Sequence, residues 1–150
     1  MPKVESFSVE AICHSTESRE RVSQCILALT PAALRQSVKM NAKNAIGHYG
    51  NEITLLSLTL HGREAFEAAD SFIKRLPNSD LLELLRTSDL RQNGSKVHIR
   101  VSKQLAYKDL IHIAGGDNTI KVTLAFKGYI KSMRLDQILK EAGLLSSSER

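Results

Sequence analysis

The chain has 150 residues, of which 42% are apolar and 25% charged, and a formal net charge of +5. That balance excludes a disordered polyelectrolyte, and no apolar run approaches the roughly 20 residues a membrane-spanning helix requires. One domain over residues 1–150 is expected, with a mostly aliphatic core, because Trp is absent and aromatics make up only 5%.

Residues 3–13 read as a strand in which Phe7, Val9, Ala11 and Cys13 alternate with Ser6, Ser8, Glu10 and Ile12. Ser15 or Thr16 is placed to cap a helix, with Glu17 and Glu20 near its positive end. Val22, Cys25, Ile26 and Leu29 follow at helical spacing, and Thr30-Pro31 ends the run. Residues 36–45 alternate again, Val38, Met40 and Ala42 against Lys39, Asn41 and Lys43. The heptapeptide GHYGNEI (47–53) then leads into a strand at 52–61, with Leu56, Leu58 and Leu60 opposite Ser57, Thr59 and His61. A phase slip at Leu55-Leu56 predicts a bulge, or burial on both faces, near the start of this strand. Two strands joined by a Gly-rich stretch read as a β-hairpin.

A helix is predicted over 63–76 from the stripe Ala65, Phe66, Ala69, Phe72, Ile73 and Leu76. Pro77-Asn78 breaks it, and Asn78 or Ser79 caps a second helix carrying Leu81, Leu82, Leu84 and Leu85. RQNGSK is a turn, with Asn93-Gly94 suited to positive φ. Strands follow at 96–102, near 110–113, and at 118–127, with a GGD turn at 115–117. A last helix starts near Leu135 and stops at Gly143. The order β-α-β-β-α-α-β-β-β-α lacks regular strand–helix alternation. It predicts an α+β fold, an antiparallel or mixed sheet with helices packed mainly on one face.

The charge is unevenly placed. Residues 1–94 carry 11 basic and 11 acidic side chains, whereas residues 95–131 carry seven Lys/Arg against Asp109 and Asp117. The whole surplus therefore sits in one segment, and a polyanion is its expected partner. In KVHIRVSK, Lys96, His98, Arg100 and Ser102 share one face, and Lys103 follows directly. In TIKVTLAFK, Lys121, Thr123, Ala125 and Lys127 do the same. Cations that neutralise phosphates, set among hydroxyls that donate to phosphate or sugar, suit structured RNA more than unpaired bases. No aromatic pair is available on this plate for stacking.

The five histidines (His14, His48, His61, His98 and His112) show no metal-binding spacing, and Cys13 and Cys25 are expected to be reduced core residues. No carboxylate cluster suggests a two-metal centre, and AGGDN leads into a strand, so it is not a phosphate-binding loop of the P-loop kind. No cofactor and no metal are expected. MPKVESFS lacks the apolar segment of a secretory signal, so a cytoplasmic location is expected and no membrane partner.

GHYGNEI (47–53) together with HIRVSKQLAY (98–107) resembles an archaeal family of RNA-binding proteins predicted to associate with the exosome. The likeness runs from the first strand to the KEAGLL ending. It implies a fold like ribosomal protein L5, also described as double-stranded-RNA-binding-like. It further implies RNA as partner, with exosome or ribosome components as further candidates. Gln104 is the polar residue matched within the second motif. The chain departs from the family's pattern after Tyr107, where Lys108-Asp109 stands and a glycine is common.

The expectation is therefore a non-catalytic RNA-binding accessory protein linked to RNA processing or degradation. Its candidate RNA-binding residues are Lys96, Arg100, Lys103, Gln104, Lys121 and Lys127, with His48, Tyr49 and Asn51 in the hairpin loop. That loop is either a turn that locks strand register or a recognition tip beside the basic plate. The rival readings are an adaptor that docks an acidic protein and a metal-independent ribonuclease.

Overall fold

Strand β1 (Lys3–His14) is followed by helix α1 (Arg19–Ala28), a 3-10 turn at Ala32–Leu34, and the hairpin β2 (Asn41–Ile46) and β3 (Glu52–His61). Helices α2 (Gly62–Arg75), α3 (Asn78–Arg86) and α4 (Ser88–Arg91) come next. The chain then forms β4 (Gln92–Asn93), β5 (Lys96–Ser102), α5 (Lys103–Tyr107), β6 (Thr119–Lys127) and α6 (Leu135–Glu141). The computed structural model describes residues 2–46, 50–128, 130 and 132–145.

The strands form one six-stranded sheet in the order β2-β3-β1-β6-β5-β4, with every neighbouring pair antiparallel. Alternation sorts the side chains between its faces. Phe7, Val9, Leu56, Leu58, Val97, Ile99, Val122 and Leu124 point to one face and are almost wholly buried. Helices α1 and α2 close over that face, supplying Val22, Ile26, Ala65, Ala69, Phe72 and Ile73. Phe72 meets Phe7 edge-on at 6.1 Å between ring centroids, which fixes α2 against the central strand. Each fully buried Leu, Ile or Phe here contributes about 1.5–3 kcal/mol relative to exposure. Among the described residues the opposite face carries no helix, and it is polar except near Ile12, Leu55 and Ile53. The fold is α+β, with helices on one side of an antiparallel sheet, as the element pattern predicted.

Several local expectations are corrected. Residues 14–17 form a turn, closed by the Glu17 N–H donating to the His14 carbonyl, so α1 starts later and its cap is Ser18, not Ser15 or Thr16. Strand β2 begins at Asn41 rather than 36; Val38 and Met40 precede it and pack against the core as coil. No bulge interrupts β3, whose register with both neighbours is continuous. The irregularity lies instead in β1, where Val4 faces Phe126 but Ser6 faces Ala125. The strand expected near 110–113 is reduced to one bridge between Val101 and Ile113. Residues 103–107, to which the sequence pattern assigned no element, form α5, because the Ser102 hydroxyl accepts the Leu105 N–H and caps it. Pro77 occupies the cap position of α3, with no side-chain bond from Asn78 or Ser79.

The departure after Tyr107 has a backbone signature. Asp109 has φ 64°, and it is the only non-glycine with positive φ among the described residues. Asp tolerates this region better than most residues. Its carboxylate accepts from both Arg35 (3.4 Å) and Arg75 (3.2 Å). The same two guanidinium groups donate to the Ala28 carbonyl at the end of α1. Asp109→Gly should stay within about 1 kcal/mol of wild type, because relief of the left-handed conformation offsets two solvent-exposed ion pairs. Asp109→Ala loses the pairs without that relief and should cost roughly 1–2 kcal/mol. Urea melts of the two variants check the order, and equal losses would show that φ is not the constraint.

Candidate nucleic-acid interface

The register places the predicted residues on the open face and sets them side by side. Lys96 pairs with Ala125, His98 with Thr123, Arg100 with Lys121 and Ser102 with Thr119. The rows continue across the sheet: Ser8 follows Thr123, and Glu10 follows Lys121. Thr59 and Ser57 extend these two rows into β3. Lys127 closes the plate at its other end, opposite Lys3. Lys96, Arg100, Lys121 and Lys127 are therefore brought together on one surface, with Glu10 set among them and Asp117 at its end beside Arg100 and Lys121.

Hydrogen bonds stiffen this plate. Arg100 donates to the Thr119 hydroxyl (3.4 Å), which itself donates to the Gly116 carbonyl (3.0 Å) and ties the 114–118 turn to the sheet. The Ser8 and Thr59 hydroxyls lie 3.2 Å apart. His98 Nδ1 lies 3.1 Å from the Thr123 hydroxyl. Partial burial, then the charges of Lys121, Lys96 and Arg100, push the His98 imidazole below its ordinary pKa, and only the more distant Glu10 opposes them. The free protein thus keeps this histidine neutral where an isolated one would begin to charge.

Two further cations belong to the open face without having been expected there. Lys3 was hidden because strict alternation from Phe7 would turn it inward; the irregularity between Val4 and Ser6 reverses that parity. Lys43 stands exposed on β2, aligned with Leu55, and was masked by the neutral charge of the first 94 residues. The signal that could have found it was the alternation of the hairpin, extended to the sheet's outer face.

Lys103 does not belong to the plate. It is 5% exposed and turns to the helical side, where Nζ donates to the Ile12 carbonyl (2.8 Å) and both Glu17 oxygens (3.2 Å each). Position 103 has the inward parity of Val97, Ile99 and Val101, and the chain keeps it on that side as β5 gives way to α5. Burial pushes the Glu17 carboxyl up, but the His14 N–H and the bond and charge of Lys103 outweigh it, leaving the group below its usual range. Gln104 is exposed on α5, also away from the plate.

At the end of the β2–β3 hairpin, Gly50 has φ 81°, a conformation glycine adopts without steric cost, and Asn51 is exposed beside it. Strands β3, β1 and β6 separate β2 from β5, so at about 4.8 Å per strand these two residues are not beside the basic row of β5. The candidate residues His48 and Tyr49, with Gly47, lie outside the described residues. His61 on β3 is three strand steps, roughly 14 Å, from His98 on β5, and His112 pairs with Asp80 at 3.4 Å. Among the described residues no group of three His, Cys, Asp or Glu side chains could hold a metal. Among them, too, no helix is long and apolar enough to cross a membrane.

Residues 6–126 match a family model whose description is RNA binding. An uncharacterized protein of Methanocaldococcus jannaschii is 26% identical over 125 residues, spanning 81% of this chain and 84% of its own. The crystal structure of a DUF54 protein from Archaeoglobus fulgidus is similar with a TM-score of 0.80 and 29% identity, covering 93% of this chain and 99% of that one. A DUF54 protein from Sulfolobus solfataricus shares the fold at TM-score 0.73 and 24% identity, over 92% of this chain and 97% of its own.

Two outcomes follow from the charged groups. Lys103→Met leaves Glu17 and the Ile12 carbonyl without their cation. The cost should be roughly 2–3 kcal/mol, below the value for a fully buried pair because Glu17 still reaches water. Glu17, with its folded pKa depressed, stabilises the wild type above about pH 4.5 and loses that contribution as pH falls through the folded value. The variant should show a weaker acid-side decline in a pH series of urea melts, because the His14 N–H bond to Glu17 remains. For His98 the sign runs the other way on binding. A polyanion on the plate offsets the surrounding cations and raises the histidine's pKa, so binding takes up a proton. Affinity for RNA should therefore increase from about pH 7.5 to about 5.5, and His98→Gln should flatten the part of that rise not owed to the other histidines.

Proposed function

This chain belongs to the RNA-binding family, and from that premise we propose that it holds folded RNA on the open face of its sheet. The observation that carries the reading is the register of β5, β6 and β1, which gathers Lys96, Arg100, Lys121, Lys127 and Lys3 among hydroxyl side chains. Such a surface neutralises phosphates and meets 2′-hydroxyls with little demand on sequence. A plate with no exposed aromatic among its described residues suits a duplex or hairpin better than an unstructured strand.

The reading is of one non-catalytic domain that works without a cofactor, as an accessory of RNA processing or degradation. The separation of His61 from His98 supports it, since general acid–base cleavage needs two such groups within reach of one phosphate. The two motifs, GHYGNEI and HIRVSKQLAY, support a place beside the exosome or the ribosome, a cytoplasmic location and kinship with the ribosomal protein L5 fold.

Salt dependence tests the plate. Removing one phosphate-neutralising side chain should lower the log–log slope of affinity against salt by about 0.7–0.9. Arg100→Ala combined with Lys121→Ala should therefore reduce the slope by roughly 1.4–1.8 and weaken a hairpin RNA more than it weakens an equal-length unstructured oligomer. An unchanged slope and affinity would remove the plate from the mechanism. RNA cleavage by the purified protein in chelator would replace the accessory role with a nuclease.

A further inference from the structure

A second surface lies around the end of the sheet from the plate. Helices α1 and α5 pack side by side, and between them opens a groove of about 650 Å³. Its rim carries Arg21, Gln104, Tyr107, Lys108 and Asn118, all exposed, while Val22 and Cys25 form its apolar floor. Tyr107 is 46% exposed although it is a large aromatic side chain. The Arg21 guanidinium sits over its ring, 5.2 Å from the centroid. The acidic side chain in the groove, Glu17, is already engaged by Lys103.

Each of these groups has a matching partner in a single unpaired nucleotide. An exposed ring and the guanidinium lying over one of its faces offer stackable planes to a base. The primary amides of Gln104 and Asn118 carry both donors and acceptors for a base edge. Arg21 and Lys108 supply charge for the flanking phosphates.

The groove also joins the plate through the chain itself. Asn118 lines the groove, while its neighbours Asp117 and Thr119 line the end of the open face beside Arg100 and Lys121. A nucleic-acid backbone leaving the plate at Arg100 meets Asn118 next.

We propose that the α1–α5 groove receives one unpaired nucleotide of an RNA whose paired stem rests on the sheet, with its base stacked on Tyr107. The proposal rests on the reading of the open face as an RNA surface. It assigns to the helical side the discrimination that the plate lacks: the plate senses charge and shape, and the groove senses an interruption of the helix.

The test compares two RNA hairpins that differ by one bulged 2-aminopurine in the stem. The wild-type protein should bind the bulged hairpin about tenfold tighter, within the range a single base–aromatic stack provides, and should quench the 2-aminopurine fluorescence. Tyr107→Ala should abolish both the preference and the quenching while keeping wild-type affinity and salt slope for the unbulged hairpin. Tyr107→Phe should keep all of them. Equal wild-type affinity for the two hairpins, or a preference that survives Tyr107→Ala, overturns the groove and leaves the plate standing. Failure of the wild type to bind either hairpin overturns both.

Discussion

Strand β1 hydrogen-bonds to β3 along one edge and to β6 along the other, and this double pairing sets the rest of the molecule. It joins the hairpin β2–β3, formed early in the chain, to β5–β6, formed late. Because side chains alternate with a period of two, the register of β1 decides at once which residues of all three strands face the helices. Phe7, Val9 and Ala11 must go inward to meet α1 and α2, so Ser6, Ser8 and Glu10 must go outward to join the basic rows. Core and candidate interface are two consequences of one register.

The irregularity between Val4 and Ser6 is the point where that coupling is adjusted. An extra residue on β1 reverses parity at the start of the strand. It keeps Val4 buried while sending Lys3 out beside Lys127. A regular strand would have turned the Lys3 ammonium toward the core, at several kcal/mol of desolvation.

What could be read from the residues follows the same physics. The strands at 52–61, 96–102 and 119–127 were legible almost to the residue, and so was the stripe of α2 apart from Phe66, which is 36% exposed. Four of the six cations or amides expected in the basic segment (Lys96, Arg100, Lys121 and Lys127) fall on one surface for that reason. The expectation failed where charge was weighed over alternation. Lys103 follows the outward Ser102 and so has inward parity; it opens α5 and pairs with Glu17, a partner 86 positions away that no local pattern announces. Strand β2 misled in the opposite way. It is an edge strand exposed along its whole length, so burial does not enforce its pattern. The apolar residues before it, Val38 and Met40, pack as coil. The left-handed Asp109 was marked only by its departure from a family glycine, because its cause lies in Arg35 and Arg75, distant in sequence.

That the described helices all lie off the open face separates two kinds of mutational pressure. Substitutions at Lys96, Arg100, Thr123 or Lys121 change a surface that water already wets, and they leave the packing beneath it intact. Substitutions at Val97, Ile99 or Val122, one residue away in each case, perforate the core. Neighbouring codons along β5 and β6 thus answer alternately to ligand and to fold. A lineage can rewrite the outward half of this alphabet without disturbing the inward half. Proteins of this architecture are free to drift in what they hold while staying fixed in shape, so common descent among them is a firmer guide to the scaffold than to the cargo.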